Sequence, residues 1–325
     1  MMKQLIAVAL GLMVLLGGEN PTKAQCCSMG NPFNNTTVGG TLEKNQVRAA
    51  LVYKTGNFET YFRGRVRLIN YGMYSQLNYQ YGSFTLSYGI TPRLTIDHEA
   101  GFFFEKQTHF ADPQLNQLAR SGYGFANGTI TTRYAVYENP ENQFEIDVAA
   151  GLRYPFSTRA MEVRGVELPT EAQPSTGAFG ALFFVQMHKA WKSIQMTLQQ
   201  RYEFNAPNYI DYIFGDAHTT TLSVSGRMNR LFLGNLLFRN EFRSSDQSPT
   251  GARLASQGSH VVLATPMVSL TLPGNFMLSL FGDMPVYRYY FGEQISNRYA
   301  VGVSLVWTGW IESNSVDRTL IETIR

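Results

Sequence analysis

This chain predicts an all-β fold, an up-and-down antiparallel transmembrane β-barrel of about 12 strands, on three observations. The first is alternation. In "SIQMTLQQRYEF", Ser193 to Phe204, Ile194, Met196, Leu198, Tyr202 and Phe204 fall on one face, and Gln195, Thr197, Gln199, Arg201 and Glu203 on the other. A period of two belongs to a strand, and this run exceeds the five or six residues usual in soluble proteins; a tilted strand needs roughly 9 to 11 to cross hydrocarbon. The second is the spacing of connections, short and long in strict alternation. The third is composition: 16% charged and 13% aromatic residues, with 18 Tyr and 22 Phe, is less charge and more aromatic surface than a soluble domain carries.

Alternation and turn residues place strands near 45–54, 75–90, 93–107, 123–138, 143–157, 176–190, 192–205, 216–229, 231–245, 258–272, 275–290 and 297–308. The short connections are "TP" at Thr91 and Pro92, "NPEN" at Asn139 to Asn142, "WK" at Trp191 and Lys192, "NR" at Asn229 and Arg230, and "PG" at Pro273 and Gly274. The longer ones include "THFADPQLNQLARSG", "STRAMEVRGVELPTEAQPS", "NAPNYIDYIFG" and "DQSPTGARLASQ". All short turns then lie at one end, expected to be periplasmic, and the long loops at the other, expected to be extracellular. Lipid offers backbone groups no partner, so a spanning sheet must close on itself.

Ahead of the strands, Lys3, the apolar run Leu5 to Leu16 and the small-residue site Thr22-Lys23-Ala24 read as a secretory signal peptide over residues 1–24. Lipid attachment at Cys26 is the alternative; Gln25 sits where such sites want a small residue. Residues 25–44 are expected to form an N-terminal periplasmic segment or a plug entering the lumen. The barrel spans 45–308, and 309–325 form a tail, a periplasmic extension or a docking segment for an envelope partner. The formal charge of +3 is too small to argue for nucleic acid, and Cys26 and Cys27 are adjacent, so they cannot staple distant parts of the chain.

With the apolar faces toward outer-membrane lipid, the polar alternates line the lumen: Asp97, Glu99, Glu105, Arg133, Glu145, Asp147, Arg153, Arg201, Glu203, Arg239, Glu241, Arg243 and Asp283. Both signs are present. These charges either pair across the lumen and rigidify the wall, or line a permeation path and tune its selectivity. Pro266 and Pro285 fall inside strands, where each removes a ladder donor, so bulges that kink the wall are expected there.

Other readings fare worse. A secreted β-sandwich would have shorter strands and no asymmetry of turns. The vicinal cysteines lack the further ligands a zinc site needs, and no cofactor is expected. The five histidines show no His-x-Ser pattern, and Asp97 and His98, being adjacent on a strand, point to opposite faces, so no enzyme is expected.

The C-terminal third, "ATPMVSLTLPGNFMLSLFGDMPVYRYYFGEQISNRYAVGVSLVW", resembles Gram-negative outer-membrane barrels of the meta-pathway phenol-degradation family. The likeness rests on the Pro266 strand, the Pro273-Gly274 turn, Met284-Pro285-Val286-Tyr287, the Gly292-x-Gln294 loop and a closing amphipathic strand; "SDQSPTG" and "YGITPRLTI" agree with it. It implies a porin-like channel or uptake protein for small, hydrophobic or aromatic molecules, acting by passive diffusion. Its partners would be membrane lipid, the barrel assembly machinery and a small-molecule solute. The competing expectation is a closed structural barrel whose loops bind a partner.

Overall fold

The computed structural model describes residues 40–69, 71–112, 114, 120–254 and 257–311. Cys26, Cys27, the expected signal peptide, most of the expected plug and the tail beyond residue 311 lie outside them. The strands in chain order are β1 (Gln46–Gly64), β2 (Val66–Leu68), β3 (Tyr74–Thr91), β4 (Leu94–Phe110), β5 (Arg120–Asn139), β6 (Phe144–Pro155), β7 (Glu162–Val163), β8 (Val166–Glu167), β9 (Gly180–Trp191), β10 (Ile194–Asn205), β11 (Ala217–Arg227), β12 (Phe232–Arg243), β13 (Asp246–Gln247), β14 (Arg253–Leu254), β15 (Ser259–Leu272) and β16 (Phe276–Trp310). The pairs β7–β8 and β13–β14 are small ladders within loops.

Eleven long strands form one antiparallel sheet that closes when β16 pairs with β1; β2 is an extra strand folded back on the end of β1. Strand β16 has 35 residues. Unbroken, it would run roughly 115 Å, several times the hydrocarbon thickness. Its registers resolve the difficulty: Phe276 to Tyr290 pair with β15, and Tyr290 to Trp310 pair with β1. Because every neighbouring pair is antiparallel, the closed wall must be crossed an even number of times. The chain therefore reverses within β16, at Phe291 and Gly292, where Gly292 adopts φ 72°. The wall is thus crossed twelve times. This reversal is tight although it lies at the long-loop end, a departure from the strict alternation of connections.

Side chains obey the pleat. On β10, Ile194, Tyr202 and Phe204 are exposed on the outer face, while Thr197 and Gln199 are buried inside. On β1, Leu51 and Tyr53 face out, and Ala50, Val52 and Lys54 face in. The core is therefore the barrel interior. Strand β1 runs ten residues beyond the expected end at residue 54 because register shifts at Asn57/Phe58 and Phe58/Thr60 scramble the alternation without ending the ladder.

Candidate functional site

Three groups of charged side chains lie on the inner wall. Nearest the short-turn end, Arg133 on β5 lies 3.0 Å from Asp97 on β4 and 4.0 Å from Asp147 on β6, all almost fully buried. Gln186 on β9 donates to Asp147 at 3.2 Å, and Gln199 on β10 donates to Gln186 at 3.1 Å, so one polar chain ties five neighbouring strands together. Glu99, two residues along β4 from Asp97, is half-buried on the same face. Residues just before β1 enter this end. The amide and hydroxyl of Thr41 donate to Glu145 Oε1 at 2.8 and 3.0 Å, and the Leu42 amide donates to Thr95 Oγ1 at 2.8 Å.

At mid-height, Asp283 on β16 accepts from Lys54 Nζ on β1 at 2.6 Å and from Thr265 Oγ1 on β15 at 2.6 Å, with Arg239 on β12 3.8 Å away. Both members of the Lys54–Asp283 pair are 3% exposed. Toward the long-loop end, Arg153 on β6 bonds Glu203 and Asn205 on β10. Arg201 lies 3.4 Å from Glu203; Arg239 and Arg243 lie 3.8 and 3.9 Å from Glu241. Water reaches this third group, since Arg201 is 28% and Glu241 25% exposed.

Glu105 is placed otherwise than expected. A bulge lets Gln80 pair with Glu105 and Tyr81 with Phe103, so Phe104 and Glu105 fall together on the outer side and Lys106 takes the inward position. Glu105 accepts from Gln80 at 3.3 Å, and Gln80 in turn accepts from Tyr53, on the lipid-facing wall. Parity counted from Asp97 misses the extra residue.

Pro285 lies beside a register shift between Val262 and Leu263. Pro266 pairs with Leu236 of β12, but on the β16 side the ladder lapses between Ala264–Met284 and Met267–Phe281. The outer surface there holds an apolar cavity of about 940 Å³, floored by Gly234, Pro266 and Gly282 and rimmed by Leu236, Val268 and Leu280. The Thr265–Asp283 bond spans the lapse from the lumen side.

Outward aromatic rings form a girdle toward the long-loop end. Phe102 contacts Phe104 and Phe125, Phe125 contacts Phe156, and Phe156 contacts Tyr154. His98 bonds the Tyr154 hydroxyl at 2.8 Å, on the face opposite Asp97. The loop between β6 and β9 folds back against β4 and β5. Lys106 Nζ donates to the Gln173 carbonyl at 2.9 Å, while Asn127 Oδ1 accepts from Ser175 and Thr176 hydroxyls at 3.0 and 3.2 Å. A 3-10 turn, Thr170–Ala172, buries Glu171, and that burial pushes its carboxyl pKa up, opposed in part by a backbone hydrogen bond and by Lys106. Among the described residues, no group of His, Cys, Asp and Glu could hold a metal ion.

No family model matches the sequence, and no curated protein does. Solved structures do match. The crystal structure of the COG4313 outer membrane channel from Pseudomonas putida F1 aligns over 84% of this chain and 98% of its own with TM-score 0.67 at 10% identity. This chain has the closed β-barrel fold of that channel. The NanC porin covers 80% of this chain and 100% of its own at TM-score 0.45, and the KdgM porin 78% and 97% at 0.41, each at 10% identity.

Sequence reasoning missed Lys54, the buried partner of Asp283, and Lys106, the anchor of the loop. Lys54 was within reach: it follows Ala50 and Val52 on the inward parity of β1. Lys106 was not, because the bulge inverts parity one residue earlier.

Proposed function

We propose that this protein is a passive outer-membrane channel or uptake protein for small molecules, hydrophobic and aromatic ones among them, related to the meta-pathway phenol-degradation barrels. One observation carries the reading: the apolar cavity in the outer wall coincides with the lapse in the β15–β16 ladder at Pro266. A small apolar solute entering from the long-loop end, taken as extracellular, would leave sideways into lipid there, sparing it the charged lower lumen. The charged side chains of the inner wall hold the remaining sections rigid, and residues 25–44 act as a plug, a role that the Thr41–Glu145 bonds support.

A closed structural barrel is the second reading, favoured by the dry pairing of Lys54 with Asp283 and Arg133 with Asp97. Conductance of the refolded chain in a planar bilayer, compared with a variant lacking residues 25–44, separates them. Current steps in either, together with hydrophobic uptake by liposomes that Pro266→Ala slows, support the channel. Silence in both without liposome uptake leaves the structural barrel.

A further inference from the structure

The water-reached guanidinium group at the long-loop end is used by no step of the reading above. Arg153 and Arg201 both bond one carboxylate, Glu203, and Arg243 donates to the Gly215 carbonyl that also accepts from Asn205, itself bonded to Arg153. Arg201 reaches Glu203 through a single nitrogen, Nη2, at 3.4 Å. Arg201 shares the inward parity of Thr197 and Gln199 on β10, and its side chain is 28% exposed. Arg153, buried beside it, has an Nε with no partner. The carboxylates that offset this arc are already engaged. Glu241 lies between Arg239 and Arg243, Asp283 holds Lys54, and Asp246 is buried on the Tyr212 hydroxyl and the Gly215 amide at 2.5 and 2.6 Å.

The short-turn half of the lumen carries the opposite imbalance. Asp97, Glu99, Glu145 and Asp147 there face Arg48 and Arg133. An anion inside the barrel therefore finds its minimum at the arginine arc and a barrier below it. Guanidinium forks match planar carboxylates, and Glu203 already shows a carboxylate seated among these arginines.

We propose that Arg201, with Arg153 and Arg243 behind it, forms a binding site in the long-loop half of the lumen for small organic acids, held by their carboxylate. The inference deepens the channel reading by naming a solute class, and rests on it only for transport; binding itself does not require an open pore.

The test is isothermal titration of benzoate into the detergent-solubilised full chain, wild type against Arg201→Gln, at low and high salt. Folding of each variant is checked by circular dichroism. Saturable binding that weakens with salt, and that Arg201→Gln weakens by roughly ten- to hundredfold, is expected for lost charged hydrogen bonds. Arg201→Lys should recover part of it, since charge returns without the fork. Absence of binding in the wild type, or equal binding in Arg201→Gln, overturns the site. Bilayer recordings then place it on the path: benzoate should reduce any wild-type current and leave that of Arg201→Gln unchanged. Binding with neither conductance nor liposome uptake would sink the channel reading and leave the site standing; conductance without binding would do the reverse.

Discussion

Replacing Asp283 by Asn tests how dry the middle of the barrel is. Lys54 Nζ lies 2.6 Å from Asp283, and both side chains are 3% exposed. At that separation Coulomb attraction is about 6 kcal/mol for an effective dielectric near 20 and about 1.6 kcal/mol for one near 80. Much of the larger figure offsets desolvation of the two ions. Removal of one partner nevertheless takes the carboxylate from buried Lys54 and from Arg239, 3.8 Å away, and such losses cost about 3–5 kcal/mol. The assay is reversible urea unfolding in detergent micelles followed by tryptophan fluorescence, for wild type, Asp283→Asn, Lys54→Met and the double variant. Asp283→Asn should fall in that range, and the double variant should recover a large part of the loss. A cost below about 1 kcal/mol, with additive single changes, would mean that water screens the pair as it does at a surface. The lumen would then be wet at mid-height, and the dry pairing that favours a closed barrel would fail.

Further outcomes are expected elsewhere. Glu171 has a raised carboxyl pKa, so the docked loop binds its proton more tightly than the undocked one does; docking is firmest at low pH and weakens as pH rises through the raised value. Trypsin cleavage after Arg159 or Arg164, followed against pH, should accelerate across that window in wild type and lose the dependence in Glu171→Gln. Asn127→Ala removes the acceptor for Ser175 and Thr176 and should raise cleavage of the same loop at every pH, at a cost of about 1–3 kcal/mol in docking; unchanged cleavage would mean the loop is held elsewhere. Gly282→Leu places a side chain into the outer cavity, and hydrophobic uptake by liposomes should fall while ionic conductance stays as it was.

The barrel was legible because its solvent is lipid: one face of every strand must be apolar along its length, and Ile194 to Phe204 carry that rule plainly in sequence. What was hidden sits where the pleat loses count. A bulge costs one residue and inverts all parity beyond it, so Asp97 could be assigned inward from its neighbours while Glu105, eight residues later, could not. Of the two prolines, Pro285 lies beside a register shift, whereas the β15–β16 register is the same on both sides of Pro266, so the expected bulge is absent there and only the ladder pairing lapses. Which side chains compensate for that loss was out of reach. Thr265, Asp283 and Lys54 come from three passes of the wall and meet only after it closes.

That meeting ties the lapse to the buried ion pair. Between Ala264–Met284 and Met267–Phe281 the β15–β16 ladder skips two residue pairs, and Pro266 has no N–H to donate across it. Asp283 reaches back to Thr265 on one side of the gap and across to Lys54 on β1, so one carboxylate bridges three wall segments. Outside the gap lies mostly apolar surface, which lipid or an apolar solute can fill. If solute passes through the wall here, it must displace this latch, and Asp283→Asn should then raise hydrophobic uptake even as it lowers stability. If the barrel is closed, the same substitution lowers stability and leaves uptake at background. The sign of that one correlation separates a gate from a brace.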